Sequence, residues 1–114
     1  MTRLSEIQVA QLAPDPPSLK AGRQLANPRL WLATHINDRV LWGEVQGSGK
    51  DPYRTQIDLG AIAFKCTCPS RKFPCKHGLA LLLLRAQNAA AFGQGEPPAW
   101  VAKWLASRQQ RAEK

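Results

Sequence analysis

The sequence predicts a small α+β domain: a three-stranded antiparallel sheet with a cluster of metal-ligating side chains at its end, followed by helices. Three observations carry this expectation. Runs at 39–46, 53–59 and 61–66 have the alternation or apolar density of strands and are separated by Gly-containing turns. All three cysteines and one of the two histidines fall within the twelve positions 66–77. Immediately after them, "KHGLALLLLRAQNAAA" (76–91) is rich in Leu and Ala and holds no Pro or β-branched residue, the composition of a helix.

The chain of 114 residues suits one domain, or one domain with a flanking helix. An apolar content of 44% allows a core, but residues 14–28 and 46–56 are polar and rich in Pro and Gly, so that core is modest and a staple would help it. Sixteen Lys and Arg stand against eight Asp and Glu, a net charge of +8 that favours solubility and attracts polyanions. The opening "MTRLSEIQVAQLAPD" has acids and polar residues where a signal peptide would be apolar. The apolar run at 78–84 is too short for a bilayer, so no membrane partner is expected. Three cysteines make a poor disulfide framework; a reducing, cytoplasmic setting is expected, where clustered Cys and His point to metal.

Taken in order, Leu4, Ile7, Val9 and Leu12 allow either a strand or a short amphipathic helix, and "PDPP" (14–17) is a break. Ser18 is a candidate N-cap for a helix over 19–26 that Asn27-Pro28 stops. The first strand, "RVLWGEVQ", alternates around Val40 and Trp42, with Gly43 marking a bulge or a close backbone approach. "GSGKDP" (47–52) is a hairpin loop; it lacks the phosphate-binding pattern G-x-x-x-x-G-K-[ST]. Tyr53, Thr55, Ile57 and Leu59 alternate in the second strand, and Gly60 turns the chain into "AIAFKC", the third. The helix over 76–91 is apolar around most of its circumference and should be buried. Pro97 and Pro98 open a last helix, whose Trp100, Val101, Trp104 and Leu105 form an amphipathic stripe and whose tail is polar.

The candidate metal ligands are Cys66, Cys68, Cys75 and His77, spaced C-x-C-x6-C-x-H. Three thiolates and one imidazole suit a tetrahedral structural zinc site. On a straight strand residues 66 and 68 would lie about 7 Å apart, whereas sulfurs sharing a zinc lie about 3.7 Å apart, so the chain must curl there; Pro69 suits the turn. Residues two apart on a helix point about 200° apart, which puts Cys75 just before the helix and His77 in its first turn. Four ligands close the shell, no Asp or Glu occurs between Asp58 and Glu96, and neither H-x-E nor C-x-x-C is present. Catalysis at this site, and with it a small-molecule substrate, is therefore not expected. The alternative for the cysteines is that of buried small hydrophobes or a redox pair.

The motif and the stretch "CTCPSRKFPCKHGLALLLL" resemble the SWIM-type zinc finger in its prokaryotic form, and the likeness extends more loosely through "LWGEVQGSGKDPYRTQIDL" and "PPAWVAKWLASR". The resemblance implies one zinc ion on Cys66, Cys68, Cys75 and His77, carried by a strand-hairpin-helix scaffold, with a role in DNA binding or protein–protein interaction. The expected organisation is then a SWIM-like domain over 1–96, with its zinc motif at 61–85 and its N-terminal helix and hairpin at 14–60. A C-terminal amphipathic helix follows over 97–114.

Lys65, Arg71, Lys72 and Lys76, with Arg85 one helix face away, are expected to crowd the metal. Three thiolates outweigh one dication by a single negative charge, so such a group exceeds what compensation needs. The surplus, with Phe73 interleaved, suits a phosphate backbone or a single strand with one stacked base. Lys65, Arg71, Lys72, Phe73 and Lys76 are thus the candidate nucleic-acid contacts; plain solvation or an acidic protein partner are the alternatives for Arg71 and Lys72. A non-enzymatic, DNA-binding zinc module is the first expectation. The second is a protein–protein interaction module that docks the helix bearing Trp100 and Trp104. His35 stands alone, as a hydrogen-bonded or solvated side chain rather than a fifth ligand.

Overall fold

The computed structural model describes residues 5–47, 49–69 and 74–112, the last four of these for the backbone only. Two short helices come first, α1 (Glu6–Leu12) and α2 (Pro16–Leu25), then a 3-10 turn (Pro28–Leu30). Four strands follow: β1 (Trp31–Ile36), β2 (Val40–Val45), β3 (Tyr53–Asp58) and β4 (Ala63–Cys66). The buried helix α3 (Lys76–Gln87), a 3-10 turn (Ala89–Ala91), the short β5 (Gly93–Gln94) and α4 (Ala99–Ala112) complete the chain.

Capping chemistry sets the helix starts. Ser5 and Gln8 satisfy each other's backbone amides in a capping box, so the N-terminal segment is a helix and not a strand. The second helix begins earlier than Ser18: Asp15 is its N-cap, accepting from the Ser18 N–H at 2.8 Å, with Pro16 and Pro17 in the first helical positions.

The sheet corrects the expected architecture. It has five strands in the order β4-β3-β2-β1-β5, antiparallel throughout except for β5, which runs parallel to β1. The three expected strands are β2, β3 and β4; the two others lack the side-chain pattern that marks a strand. A bulge between Trp31 and Ala33 breaks the alternation of β1 and leaves Leu32 exposed. The fifth strand is two exposed residues paired with β1.

Each face of the sheet carries its own layer. On one, Leu41, Val45 and Ile57 join Val9 of α1, Trp31 and the buried run Leu79–Leu84 of α3 in one core, against which Leu19 and Leu25 of α2 also pack. A helix apolar all round needs cover all round, and α1, α2 and the sheet supply it. Gly43 is the close approach expected of it: a Cβ there would come within 3.1 Å of the Leu81 side chain and 2.9 Å of the Ala33 carbonyl. On the opposite face Val40 and Trp42 meet Val101 of α4, with Trp100, Trp104 and Leu105 packed around them. Among the described residues no helix is long and apolar enough to cross a membrane.

A candidate zinc centre at the end of the sheet

Four donors converge where β4 meets the start of α3. Cys66 is the last residue of β4, directly opposite Thr55 of β3, and Cys68 follows it in the bend after the strand. Cys75 occupies the N-cap position of α3 with extended dihedrals, and His77 lies in the first turn, the placement that the C-x-H spacing demands. The ligand atoms all lie within 4.8 Å of one another. His77 Nδ1 is 3.6 Å from Cys66 Sγ and 4.0 Å from Cys75 Sγ. Donors sharing a tetrahedral zinc are separated by about 3.5–3.8 Å, so an ion would draw the two His77 contacts in by at most about half an ångström and the widest-spaced donors by about 1 Å.

The charges are arranged for the same purpose. Without metal, the hydrogen bond from the Cys66 thiol favours thiolate at Cys75, with help from His77 and the Gly78 amide; against the opposing effect of burial, its pKa falls to about 4. Cys66 moves the other way, because it holds the shared proton and is itself buried. The Cys68 N–H and the Thr55 hydroxyl, whose oxygen is 3.1 Å from Cys66 Sγ, offset part of that rise. Two sulfurs sharing one proton are poised for a dication to replace it. No disulfide joins Cys66, Cys68 or Cys75.

Residues 53–86 match the family model of the SWIM zinc finger. The stretch runs from the first residue of β3 into the last turn of α3, and its Cys3His group is positioned to bind one zinc ion. No curated protein and no solved structure gives a significant match to the chain.

Around the finger's ligands stand residues that the spacing did not announce. Tyr53 sets its ring 5.2 Å from that of His77, tilted by 56°, and so limits the orientation of the imidazole. Thr55 reaches Cys66 because the two are register partners, and its side chain is fully buried. Gly78 lets α3 close onto β4: a Cβ there would lie 2.7 Å from the Phe64 ring. The period-2 pattern already placed Tyr53 and Thr55 on one face; the missing information was the β3–β4 register that brings Cys66 to that face.

The basic residues do not form one group around the metal. Lys76 is exposed in the first turn of α3 and lines, with Tyr53, Cys68 and His77, a cleft of about 480 Å³ that α2 closes through Pro17, Ser18 and Ala21. Lys65 pairs with Gln56 and so projects from the face opposite Cys66, toward α4. Arg85 lies two turns along α3, about 12 Å from His77, beside Asn37, Asp38 and Gln94. The strand alternation and the length of the helix separate what the sequence lists together. Arg71, Lys72 and Phe73 lie outside the described residues.

His35 is no part of the ligand cluster. It is half-buried and stacks on Trp42 at 5.6 Å with nearly parallel rings, and its Nδ1 is buried with no hydrogen-bond partner among the described residues.

Proposed function

We propose that the chain is a non-catalytic, cytoplasmic nucleic-acid-binding module, with DNA as its ligand, in which zinc holds the fold and a basic segment meets the phosphate backbone. The carrying observation is the donor set: Cys66, Cys68, Cys75 and His77 supply all four positions of a tetrahedral ion. Such a shell leaves no coordination site for water or substrate. What is left for the finger to do is to present what surrounds it. Lys76 is exposed beside the ligands, and in sequence Arg71, Lys72 and Phe73 lie between Cys68 and Cys75, within a chain of net charge +8. The general role implied by the SWIM likeness, DNA binding or protein–protein interaction, includes this reading without choosing it over a protein partner.

The reading makes affinity depend steeply on salt, because each phosphate neutralised releases counterions. Fluorescence anisotropy of a labelled DNA duplex at rising salt tests it. Arg71→Ala combined with Lys72→Ala is expected to weaken binding and lower the log–log salt slope by about 1.8, at about 0.9 per contact. Absence of binding to DNA and RNA even at low salt would overturn the reading. A protein-interaction role is the second reading. One observation favours it: Trp100 and Trp104 remain only half-buried after α4 has docked.

A further inference from the structure

A second basic surface lies on the face of the sheet away from the zinc ligands. There a groove of about 540 Å³ is lined by Phe64 and Lys65 on β4 and by Trp100, Lys103, Trp104 and Arg108 on α4. Its volume is that of a small-ligand site. The α4 residues recur at intervals of three and four, which places them on one helix face. Two guanidinium–indole pairs border it: the Arg54 guanidinium lies 5.3 Å from the Trp100 ring, and that of Arg108 lies 5.5 Å from the Trp104 ring. Arg108 is held in place by Asp58, to which its Nε donates at 3.1 Å. Lys65 and Lys103 are exposed and have no acidic partner among the described residues. Among the described residues, Arg39 and Arg108 pair with Asp58 and Arg54 with Glu44, while Lys65 and Lys103 add two further cations to this face.

We infer that this groove holds a single nucleic-acid strand, its unpaired bases against the Trp100 and Trp104 indoles and its phosphates at Lys65 and Lys103. The inference rests on the nucleic-acid reading above and adds a contact surface remote from the finger's own basic segment. A planar group and a cation alternate along α4, which matches the alternation of base and phosphate along a strand. The indoles are half-buried in the groove, where an unpaired base can reach them and a base inside a duplex cannot. An acidic peptide would answer the cations but would leave the planar groups unused.

The test uses the zinc-loaded full chain, a twelve-nucleotide oligo-dT, a duplex of equal length and polyglutamate. Oligo-dT is expected to bind more tightly than the duplex and to quench tryptophan fluorescence. That quenching is expected to diminish in Trp100→Phe and Trp104→Phe, which keep a ring for packing, since Trp31 and Trp42 are buried. Lys65→Glu with Lys103→Glu, both exposed, is expected to weaken oligo-dT binding at least tenfold and to lower the salt slope by about 1.4, at about 0.7 per single-strand contact. Zinc content and melting temperature are expected to stay unchanged. If the double charge reversal binds oligo-dT like the parent while Arg71→Ala with Lys72→Ala loses it, the groove is overturned and the proposed function stands. If no nucleic acid binds, both fall. Polyglutamate binding that the charge reversal abolishes, with no oligo-dT binding, would assign the groove to an acidic protein and overturn the inference.

Discussion

On one face of the sheet, α3 is buried from His77 to Leu84 and four donors within 4.8 Å tie its first turn to β4. On the other, α4 rests on a small cluster of Val40, Trp42 and Val101, helped by the Gln56 side-chain amide, which donates to the Trp100 carbonyl at 3.3 Å, and by Arg108 on Asp58. The first attachment adds to a large shared core one link concentrated in a single ion, which is present or absent as a whole. The second is spread over several weak contacts that can be removed one at a time. A binding module gains from both: the metal fixes a rigid frame, and the graded contacts set how firmly a helix is held on it.

Removing the metal should therefore give the largest effect. Structural zinc supplies about 10–16 kcal/mol of apparent free energy in zinc-finger peptides at neutral pH, as large as the whole stability of a typical domain, about 5–15 kcal/mol. Chelation, or Cys75→Ser, is expected to release β4 and the first turns of α3. Hydrogen exchange should then become fast at residues 63–66 and 76–80, and native mass spectrometry should find one zinc per chain before treatment and none after. A metal-free chain with unchanged protection there would reduce the two faces to the same kind of attachment.

The same contrast explains what could be read from the sequence. The ligand set was legible because coordination constrains spacing within twelve residues: C-x-C forces a bend and C-x-H straddles a helix start, and both are present at Cys66–Cys68 and Cys75–His77. The α3 helix and strands β2 to β4 announced themselves through composition and period. What escaped depends on pairing between distant segments. Thr55 supports Cys66 only through the β3–β4 register, and β5 exists only because its backbone lies beside His35 and Ile36. Lys65 looked like a neighbour of the metal and belongs to the other face, because one step along a strand reverses the side.

On the α4 face, Asp58 is the place to probe the graded attachment. Its carboxylate is buried, which pushes its pKa up, but the hydrogen bond from Arg108, the Gly60 amide and the charges of Arg39 and Arg108 outweigh burial and hold it below the usual carboxylate range. A folded-state pKa depressed in this way adds stability at every pH above the unfolded value, and that contribution is lost as pH falls through the folded one. Asp58→Asn is expected to cost about 1–3 kcal/mol at neutral pH, the scale of a hydrogen bond to a charged group, while zinc stays bound. The stability gap to the parent, read by urea unfolding, should be constant from pH 8 to 5 and begin to close only below about pH 4, near the unfolded carboxylate pKa. A gap that shrinks between pH 7 and 5 would assign the effect to another group.

The smallest expected effect lies in the turn that delivers β4 to the metal. Ile62 has φ +50°, left-handed backbone that is unfavourable for an L residue by about 1–2 kcal/mol and worst for a β-branched one. Asn tolerates that region, so Ile62→Asn should relieve the strain while giving up part of the burial of a half-covered isoleucine. A net gain of about 0.5–1 kcal/mol remains, equivalent to about two- to fivefold in an equilibrium constant. Because β4 is expected to loosen without metal, the relief acts on the zinc-bound state and should appear as zinc affinity tighter by that factor, measured by chelator competition. If Ile62→Asn and Ile62→Gly both weaken zinc binding, the turn carries no strain that the metal must hold. If affinity is unchanged while the melting temperature of the metal-free chain rises, the turn belongs energetically to the sheet and α4 rather than to the metal.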